Sequence, residues 1–280
     1  MIADLHTHSH HSDGLLAPEQ LAQLASARGV TLLALTDHDT VAGCDSMRNA
    51  CSKLAVTFVS GVEMSCTWRG QTLHILGLGI DESNDALQAQ LSHVAELRRA
   101  RMRLIGERLA RRCDAELGLL ALGIAEKTAL PTRMHLARDI VLRGHAAHTG
   151  EAFRNFLVRG RPGYAPCEWP DLTTTLQAIQ IAGGLASLAH PHRYQLSSGA
   201  LRTLIGEFAA NGGQAIECSS GPTSPNDVTR LAALASANGL LISGGSDFHD
   251  PANAWNTPGR FAKLPAGSDL LASRLETKHG

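Results

Sequence analysis

The 280-residue chain lacks the features that would place it at a membrane or outside the cell. No apolar run approaches the roughly 20 residues a helix needs to cross a bilayer. No basic segment followed by an apolar stretch stands ahead of the first strand, so no secretory leader is expected and a cytoplasmic location is. The six cysteines (Cys44, Cys51, Cys66, Cys113, Cys167 and Cys218) form no Cys-x-x-Cys pair. Their spacing fits neither a zinc knuckle nor a disulfide framework, which leaves buried or incidental thiols in a reducing compartment. The formal net charge is −1, so no global charge calls for nucleic acid or a membrane surface. Internal repeats and low-complexity segments are absent as well.

Histidine is abundant, at fourteen residues, and its placement is informative. The chain begins Met1-Ile-Ala-Asp-Leu-His6-Thr-His8-Ser-His-His-Ser-Asp13. On a strand, residues i and i+2 point to the same side. His6 and His8 can therefore aim two imidazoles at one point. Taken alone, this stretch reads equally well as a polar loop after a strand.

Strand and helix patterns alternate at both ends of the chain. Strands are expected at Ile2–His6, Thr31–Thr36, Val56–Glu63 and Thr72–Ile80, with a turn at Arg69-Gly70. Helices are expected at Pro18–Arg28, with Pro at its start and Gly29 after it, and at about Val41–Leu54. Alternation resumes with helix Asp171–Ala182, strand Leu185–Ala189, helix Ala200–Asn211, strand Ala215–Cys218, helix Pro225–Asn238 and strand Leu240–Ser243. The tail after Pro251 carries little pattern. Between about residues 84 and 160 helical periodicity dominates. The implied architecture is α/β: a distorted barrel of about seven strand–helix units, formed by residues 1–83 and 161–280, with parallel strands and helices outside. Residues 84–160 form a helical insertion in this reading.

Metal-competent side chains gather where these strands end. His6 and His8 end the first, Asp37-His38-Asp39 the second and Glu63 the third. His74 lies inside the fourth; His190-Pro-His192, Glu217 and Asp247-Phe-His249 follow later strands. Singly, each has a structural alternative: Asp37 as a helix cap, His190 as a satisfied core histidine, Asp247 as a turn cap. Together they crowd the rim where barrel enzymes keep their active sites. Imidazole and carboxylate without thiolate suit Mn, Zn, Fe or Co and argue against a closed structural zinc site. The number of ligands exceeds the need of one ion, so two or three divalent ions are expected, with Glu63 a candidate bridge. Such clusters activate a hydroxide nucleophile and clamp a phosphoryl group.

Asp4-Leu-His6-Thr-His8-Ser, Thr36-Asp37-His38, Gly61-Val-Glu63, Ala189-His190-Pro191 and Gly245-Ser-Asp247-Phe-His249 run in order across the chain. The combination resembles the polymerase and histidinol phosphatase (PHP) superfamily of metal-dependent phosphoesterases. The resemblance implies a distorted seven-stranded barrel with a trinuclear site, manganese being the first expectation. It assigns His6, His8, Glu63 and Asp247 to one ion, Glu63, His74 and His190 to a second, and Asp13, His38 and His249 to a third. The segments Pro131–Ala137, Ala152–Leu157 and Arg159–Tyr164 are similar to the branch that acts on nucleotides. That branch includes 3′,5′-nucleoside bisphosphate phosphatases and 5′→3′ exoribonucleases that trim short RNA.

Leu97–Arg112 carries seven arginines against one acid, Glu107. Arg98, Arg101, Arg108 and Arg112 share a helix face, read mainly as a solvated one. Arg133, Arg159 and Arg161 stand near Gly and Pro where a guanidinium fork can meet a phosphate. With His135 they are the candidate substrate-binding residues. His192 or Asp37 is the candidate proton-transfer group, Asp37 leaning toward orienting a ligand histidine.

The leading expectation is removal of the 3′-phosphate from nucleoside 3′,5′-bisphosphates, adenosine 3′,5′-bisphosphate to AMP, by metal-bound hydroxide. A 5′→3′ exoribonuclease on short RNA comes next, then a histidinol-phosphate phosphatase. An amidohydrolase is a different class, commonly bridged by a modified lysine, whereas Lys53 and Lys127 fall on helix patterns. A non-enzymatic metal-binding module needs no phosphate-facing arginines. The expected partner is a small nucleotide or short RNA, with no membrane and no protein partner inferred.

Overall fold

The computed structural model describes residues 2–253, 255–268 and 270–279. Contacts group the chain into two compact units, one formed by the residues up to Gln90 and from Pro170 onward, the other by Leu91–Trp169.

The first unit is a nearly closed barrel. Its strands are β1 (Ala3–Asp4), β2 (Leu32–Leu35), β3 (Thr57–Trp68), β4 (Gln71–Leu78), β5 (Leu185–Leu188), β6 (Ala215–Ser220) and β7 (Leu241–Gly245), paired in sequence order. β1–β2–β3 and β5–β6–β7 are parallel. β4 runs antiparallel to both neighbours, which corrects the expectation of an all-parallel barrel. The cause is local. Only Arg69 and Gly70 separate β3 from β4, both at positive φ (46° and 74°), as a tight hairpin turn requires. A parallel connection would need a crossover of a dozen residues or more. Closure is completed by the Leu5 amide, which donates to the Gly244 carbonyl at 3.3 Å, and by a bridge between Thr7 and Phe248. Gly245 is obligatory here, because a Cβ would lie 2.4 Å from His6 Cβ.

Helices α1 (Pro18–Ala27) and α2 (Cys44–Cys51) cover the outside of β2. Leu21, Ala22 and Ala25 of α1 and Met47 and Cys51 of α2 pack with Leu33 and Leu35. Leu32 and Ala34 face the other way, into the barrel, which is why β2 is apolar throughout.

Helix α3 (Asp85–Arg112) leads into the second unit, which adds α4 (Ala115–Lys127), α5 (Arg133–Leu142) and α6 (Thr149–Ala152), the last running into a π-helical turn at Phe153–Leu157. Asp114 caps α4 and Thr132 caps α5 through side-chain oxygens. Ile105 and Leu109 of α3, Leu117 and Ala121 of α4, and Leu136 and Ile140 of α5 share one core.

The barrel resumes with α7 (Leu172–Ile181), α8 (Ser198–Ala210) and α9 (Pro225–Ala237). Helix α10 (Leu271–His279) lies in the tail that shows little pattern. Its Leu271 and Leu275 pack with Leu5, Leu32, Val59 and Leu78, plugging the barrel interior. No described helix is long and apolar enough to cross a membrane.

Candidate metal centre

The site is built by short strands that release the chain into tied loops. β1 ends at Asp4, whose carboxylate accepts hydrogen bonds from the amides of His6 (3.3 Å), Ser246 (2.8 Å) and Gly259 (2.7 Å). Asp4 thereby joins the His6 and Asp247 segments and is a strut. The loop after His8 is held by Asp37, which accepts from the Ser9 amide (2.8 Å), Ser9 Oγ (2.6 Å) and Ser12 Oγ (2.6 Å). That fold-back places Asp13 beside His38 and His249, with Asp13 Oδ1 at 3.8 and 3.2 Å from their Nε2 atoms.

Glu63 stands in the middle of β3, since that strand runs on to Trp68, and not at its end as the sequence suggested. Its backbone bridges His38. His74 reaches the same rim because β4 is antiparallel, so its early residues lie beside the late residues of β3; His74 pairs with Ser65. His190 and Asp247 adopt left-handed backbone, at φ 32° and 51°. Such conformations are uncommon outside glycine and collect at functional sites. The Glu217 carboxylate holds the His190 amide at 2.7 Å, and the His6 carbonyl holds the Asp247 amide at 2.8 Å.

The structure brings together nine residues: His6, His8, Asp13, His38, Glu63, His74, His190, Asp247 and His249. They fall into four overlapping groups whose ligand atoms lie within 4.8 Å of one another: His8, Asp13, His38 and His249; His6, His8 and Asp247; His6, Glu63 and His190; His38, Glu63 and His74. Glu63 spans the centre. Its Oε2 lies 3.4, 3.3 and 2.9 Å from nitrogens of His6, His8 and His38, and its Oε1 lies 3.0 and 2.9 Å from His74 and His190.

These side chains fit divalent ions better than they fit one another. His6 Nδ1 donates to the Glu217 carboxylate at 2.9 Å, so Nε2 is the nitrogen left to face an ion once its own proton is displaced. His6 Nε2 lies 3.1 Å from His8 Nε2. Asp13 Oδ1, Glu63 Oε2 and His74 Nδ1 are buried and close to other ligand atoms, yet make no hydrogen bond. Lone pairs aimed at shared points are what a cation needs, and a purely structural polar core would pair them.

The electrostatics follow from this crowding. Burial alone would raise the Asp13, Glu63 and Asp247 carboxyls, but neighbouring imidazoles overcome it and hold all three well below the usual range. Burial opposes charge on His6 too, yet Glu217, Glu63 and Asp247 lift it well above normal. His249 is raised to about 9 against burial by Asp13 and Asp247. His8 is pushed down to about 3 by burial and by His249. His74 is lowered, mainly by burial.

Asp37 and His192, the proton-transfer candidates, are placed differently. Asp37 is buried and engaged by both serines, and Ser12 Oγ also lies 3.5 Å from His8 Nδ1. His192 is half-buried, with Nε2 3.4 Å from Thr223 Oγ1 and a pKa lowered by burial and by Arg193. Sequence reasoning missed Arg193. It donates to Asp247 Oδ2 and, at 3.1 Å, to Ser220 Oγ, while Asp247 Oδ1 faces His6 and His8 at 3.4 Å. A basic residue three places after His190 in the turn that leaves β5 is the signal that could have flagged it. Sequence reasoning also gave no role to Glu217, now seen to orient His6.

The helical unit holds a second charged group. The guanidinium carbons of Arg98 and Arg101 lie 5.3 and 5.5 Å from the Trp169 ring centre, and that of Arg133 lies 5.5 Å from Phe153. Burial and then Arg133 push Arg101 down to about 10; burial and Arg98 lower Arg133. Arg98 is buried, so the solvated-face reading does not hold for it. The His135 ring is used in capping α5, with Nδ1 3.1 Å from the Thr132 amide. Arg159 is exposed, and Arg161 lies beside Arg108 and Arg112.

Comparison with known proteins agrees with this geometry. The model of the PHP domain matches residues 4–134. A 5′-3′ exoribonuclease of Salmonella typhimurium is 42% identical over 95% of this chain and 91% of its own length. A 3′,5′-nucleoside bisphosphate phosphatase of Chromobacterium violaceum is 38% identical over 98% of this chain and 96% of its own. A solved structure from C. violaceum, described as an amidohydrolase with bound sulfate and no metal, superposes with a TM-score of 0.93 at 37% identity, covering 99% and 97% of the two chains. The chain belongs to the PHP family, whose members are metal-dependent phosphoesterases. It is an enzyme of that class.

Proposed function

We propose that this phosphoesterase removes the 3′-phosphate from nucleoside 3′,5′-bisphosphates, converting adenosine 3′,5′-bisphosphate to AMP. The observation that carries the reading is the convergence of nine buried or half-buried imidazoles and carboxylates, among which Asp13 Oδ1, Glu63 Oε2 and His74 Nδ1 make no hydrogen bond. His6, His8, Glu63 and Asp247 would hold one ion, Glu63, His74 and His190 a second, and Asp13, His38 and His249 a third. Manganese is the first choice, and zinc, iron or cobalt suit the same donors. Bound there, such ions supply Lewis acidity toward the phosphoryl oxygens and lower the pKa of an attacking water.

The chain's own residues do the rest. Glu217 fixes the His6 tautomer, and Asp37 fixes the loop that carries Asp13. All three described hydrogen bonds to the Asp37 carboxylate come from serines, so the proton-transfer role goes to His192 and the positioning role to Asp37. Burial and Arg193 keep His192 neutral near pH 7, ready to exchange a proton. A nucleotide has a second phosphate and a base, and the helical unit offers guanidiniums and aromatic rings in one place: Arg98, Arg101 and Arg133 with Trp169 and Phe153. His135, Arg159 and Arg161 are retained as neighbouring contacts.

A second reading is 5′→3′ trimming of short RNA, favoured by the 42% identity to an exoribonuclease along nearly the whole chain. Histidinol-phosphate hydrolysis leaves the arginine–aromatic group without a use. A lysine-bridged amidohydrolase finds Lys53 and Lys127 exposed.

The test is to incubate the manganese-loaded protein with adenosine 3′,5′-bisphosphate, a short 5′-phosphorylated RNA and an aryl phosphate. Phosphate release from the bisphosphate with AMP as product is expected. Inactivity on both nucleotides, with the aryl phosphate still hydrolysed, removes the nucleotide assignment and leaves the phosphoesterase.

A further inference from the structure

Beyond the buried arginine group, α3 carries a second set of guanidiniums. Arg108 and Arg112 of α3, with Gly160, Arg161, Pro162 and Tyr164 of the loop before α7, line a cavity of about 360 Å³. Three of these six residues are arginines and none is a carboxylate. The whole chain has a net charge of −1, so this is a local concentration of positive charge.

The cavity is preorganised. The Arg108 guanidinium is anchored on the Tyr164 carbonyl. The loop is tied by Arg161 N to Val158 O (3.0 Å), Gly163 N to Phe156 O (2.8 Å) and Tyr164 N to Arg161 O (3.0 Å). It sits so close to α3 that a Cβ on Gly163 would meet the Leu109 side chain at 2.9 Å, and Leu109 is fully buried. The backbone that carries Arg161 is therefore fixed beside α3, and its side chain lines the cavity with Arg108 and Arg112. Gathering three like charges around one cavity is unfavourable unless an anion shares them. Fixed guanidinium forks are suited to phosphate oxygens.

The two arginine sets stand in order along one helix. Arg98 and Arg101 belong to the buried group, Arg108 and Arg112 to the cavity. At a rise of about 1.5 Å per residue, Arg101 and Arg108 are separated by about 10 Å along the axis. That is the order of a nucleotide step or two, and one loop ties both sets: the Ala165 carbonyl accepts from Arg101 Nε at 3.0 Å and the Tyr164 carbonyl accepts from the Arg108 guanidinium. We infer that the Arg108–Arg112–Arg161 cavity is a second phosphate station, taking a downstream phosphodiester of a single-stranded oligoribonucleotide whose first phosphate occupies the Arg98–Arg101–Arg133 group. The inference rests on the nucleotide reading of the metal centre and extends it from mononucleotides to short RNA.

The test measures binding, so that turnover is not its only readout. The affinity of the full-length, metal-loaded protein for a 5′-phosphorylated, 2′-O-methylated pentaribonucleotide is measured by fluorescence anisotropy. Adenosine 3′,5′-bisphosphate is the competitor. Wild type, Arg112→Gln and Arg112→Glu are compared after their thermal midpoints have been matched. The pentanucleotide is expected to bind wild type at least tenfold more tightly than the bisphosphate. Its affinity should fall about threefold to tenfold in Arg112→Gln and further in Arg112→Glu, with a shallower salt dependence, as expected when a phosphate contact is lost. Bisphosphate affinity should stay within twofold. Unchanged pentanucleotide affinity in both variants, or equal losses for the two ligands, overturns the station. Tight bisphosphate binding with no gain for the pentanucleotide overturns it while leaving the nucleotide reading intact. Binding of neither ligand by wild type overturns both.

Discussion

In the barrel unit the carboxylates of the metal centre lie against imidazoles, whereas in the helical unit guanidiniums gather near one another. Glu63 touches five histidines, and its pKa falls while those of His6 and His249 rise in the company of carboxylates. Opposite charges there compensate internally, and protons stand in the places that cations would take. In the helical unit Arg133 and Arg98 both depress Arg101, and Arg98 depresses Arg133. The first cluster offers imidazoles and carboxylates suited to small multivalent cations, the second offers guanidiniums and aromatic rings suited to an anion.

The most direct way to break this comparison is to remove a carboxylate from the compensated cluster. Asp247 Oδ1 lies 3.4 Å from both His6 and His8, while Oδ2 takes Arg193. Asp247→Ala leaves Arg193 without its anion and removes one of the carboxylates that face His6 and His8. Turnover of an aryl phosphate should fall by about a thousandfold or more, as for loss of a group that acts directly on the reaction. Metal content, measured on the purified protein, should fall with it. Unchanged metal stoichiometry and rate would sink the assignment of Asp247.

Metal loading probes the same cluster more gently. His6 and His249 are raised by their carboxylate neighbours, His249 to about 9, so both carry protons near pH 7 in the metal-free protein. Ions bind the neutral imidazoles and must displace those protons. Loading should therefore release about two protons at pH 7, and apparent affinity should weaken as pH falls, by up to about a hundredfold per unit while both sites are protonated. Calorimetry in buffers of different ionisation enthalpy reads the number directly. Release of no protons would mean that the carboxylates do not hold charge on these two histidines.

The two clusters differ in how far the sequence reveals them. The metal centre is legible because strands impose position: His6-x-His8 must point one way, and the other donors stand at or beside strand ends. Glu63 and His74 look out of place in that scheme, one in mid-strand and one near a strand start. The hairpin resolves both, since reversing β4 brings its beginning to the rim where the parallel strands end. The Arg69-Gly70 turn is visible in sequence, but its consequence for direction emerges only when the strands are paired. The fold is readable for the same periodic reasons, except α10, whose few apolar residues make a weak signal until the barrel interior supplies their partners. The buried arginines are not legible. Spacing puts Arg98 and Arg101 on one helix face, but only tertiary packing against Trp169 shows that this face is turned away from solvent.

The smallest expected effect sharpens the second half of the comparison. Arg133 lies over Phe153 and is lowered by burial and by Arg98, so removing it relieves repulsion. A residue kept for stability alone would cost the fold when deleted, whereas one kept for an anion costs the substrate. Arg133→Ala should leave the thermal midpoint within a few degrees and the turnover of an aryl phosphate, which has no second phosphate, nearly unchanged. The KM for adenosine 3′,5′-bisphosphate should rise by about tenfold to a hundredfold, the worth of a charge-assisted hydrogen bond of about 1.5–3 kcal/mol. Lys in the same place keeps the charge but loses the planar fork, so Arg133→Lys should recover only part of the loss. An equal fall for both substrates would place Arg133 in the support of the fold, and the buried guanidiniums would then need another explanation.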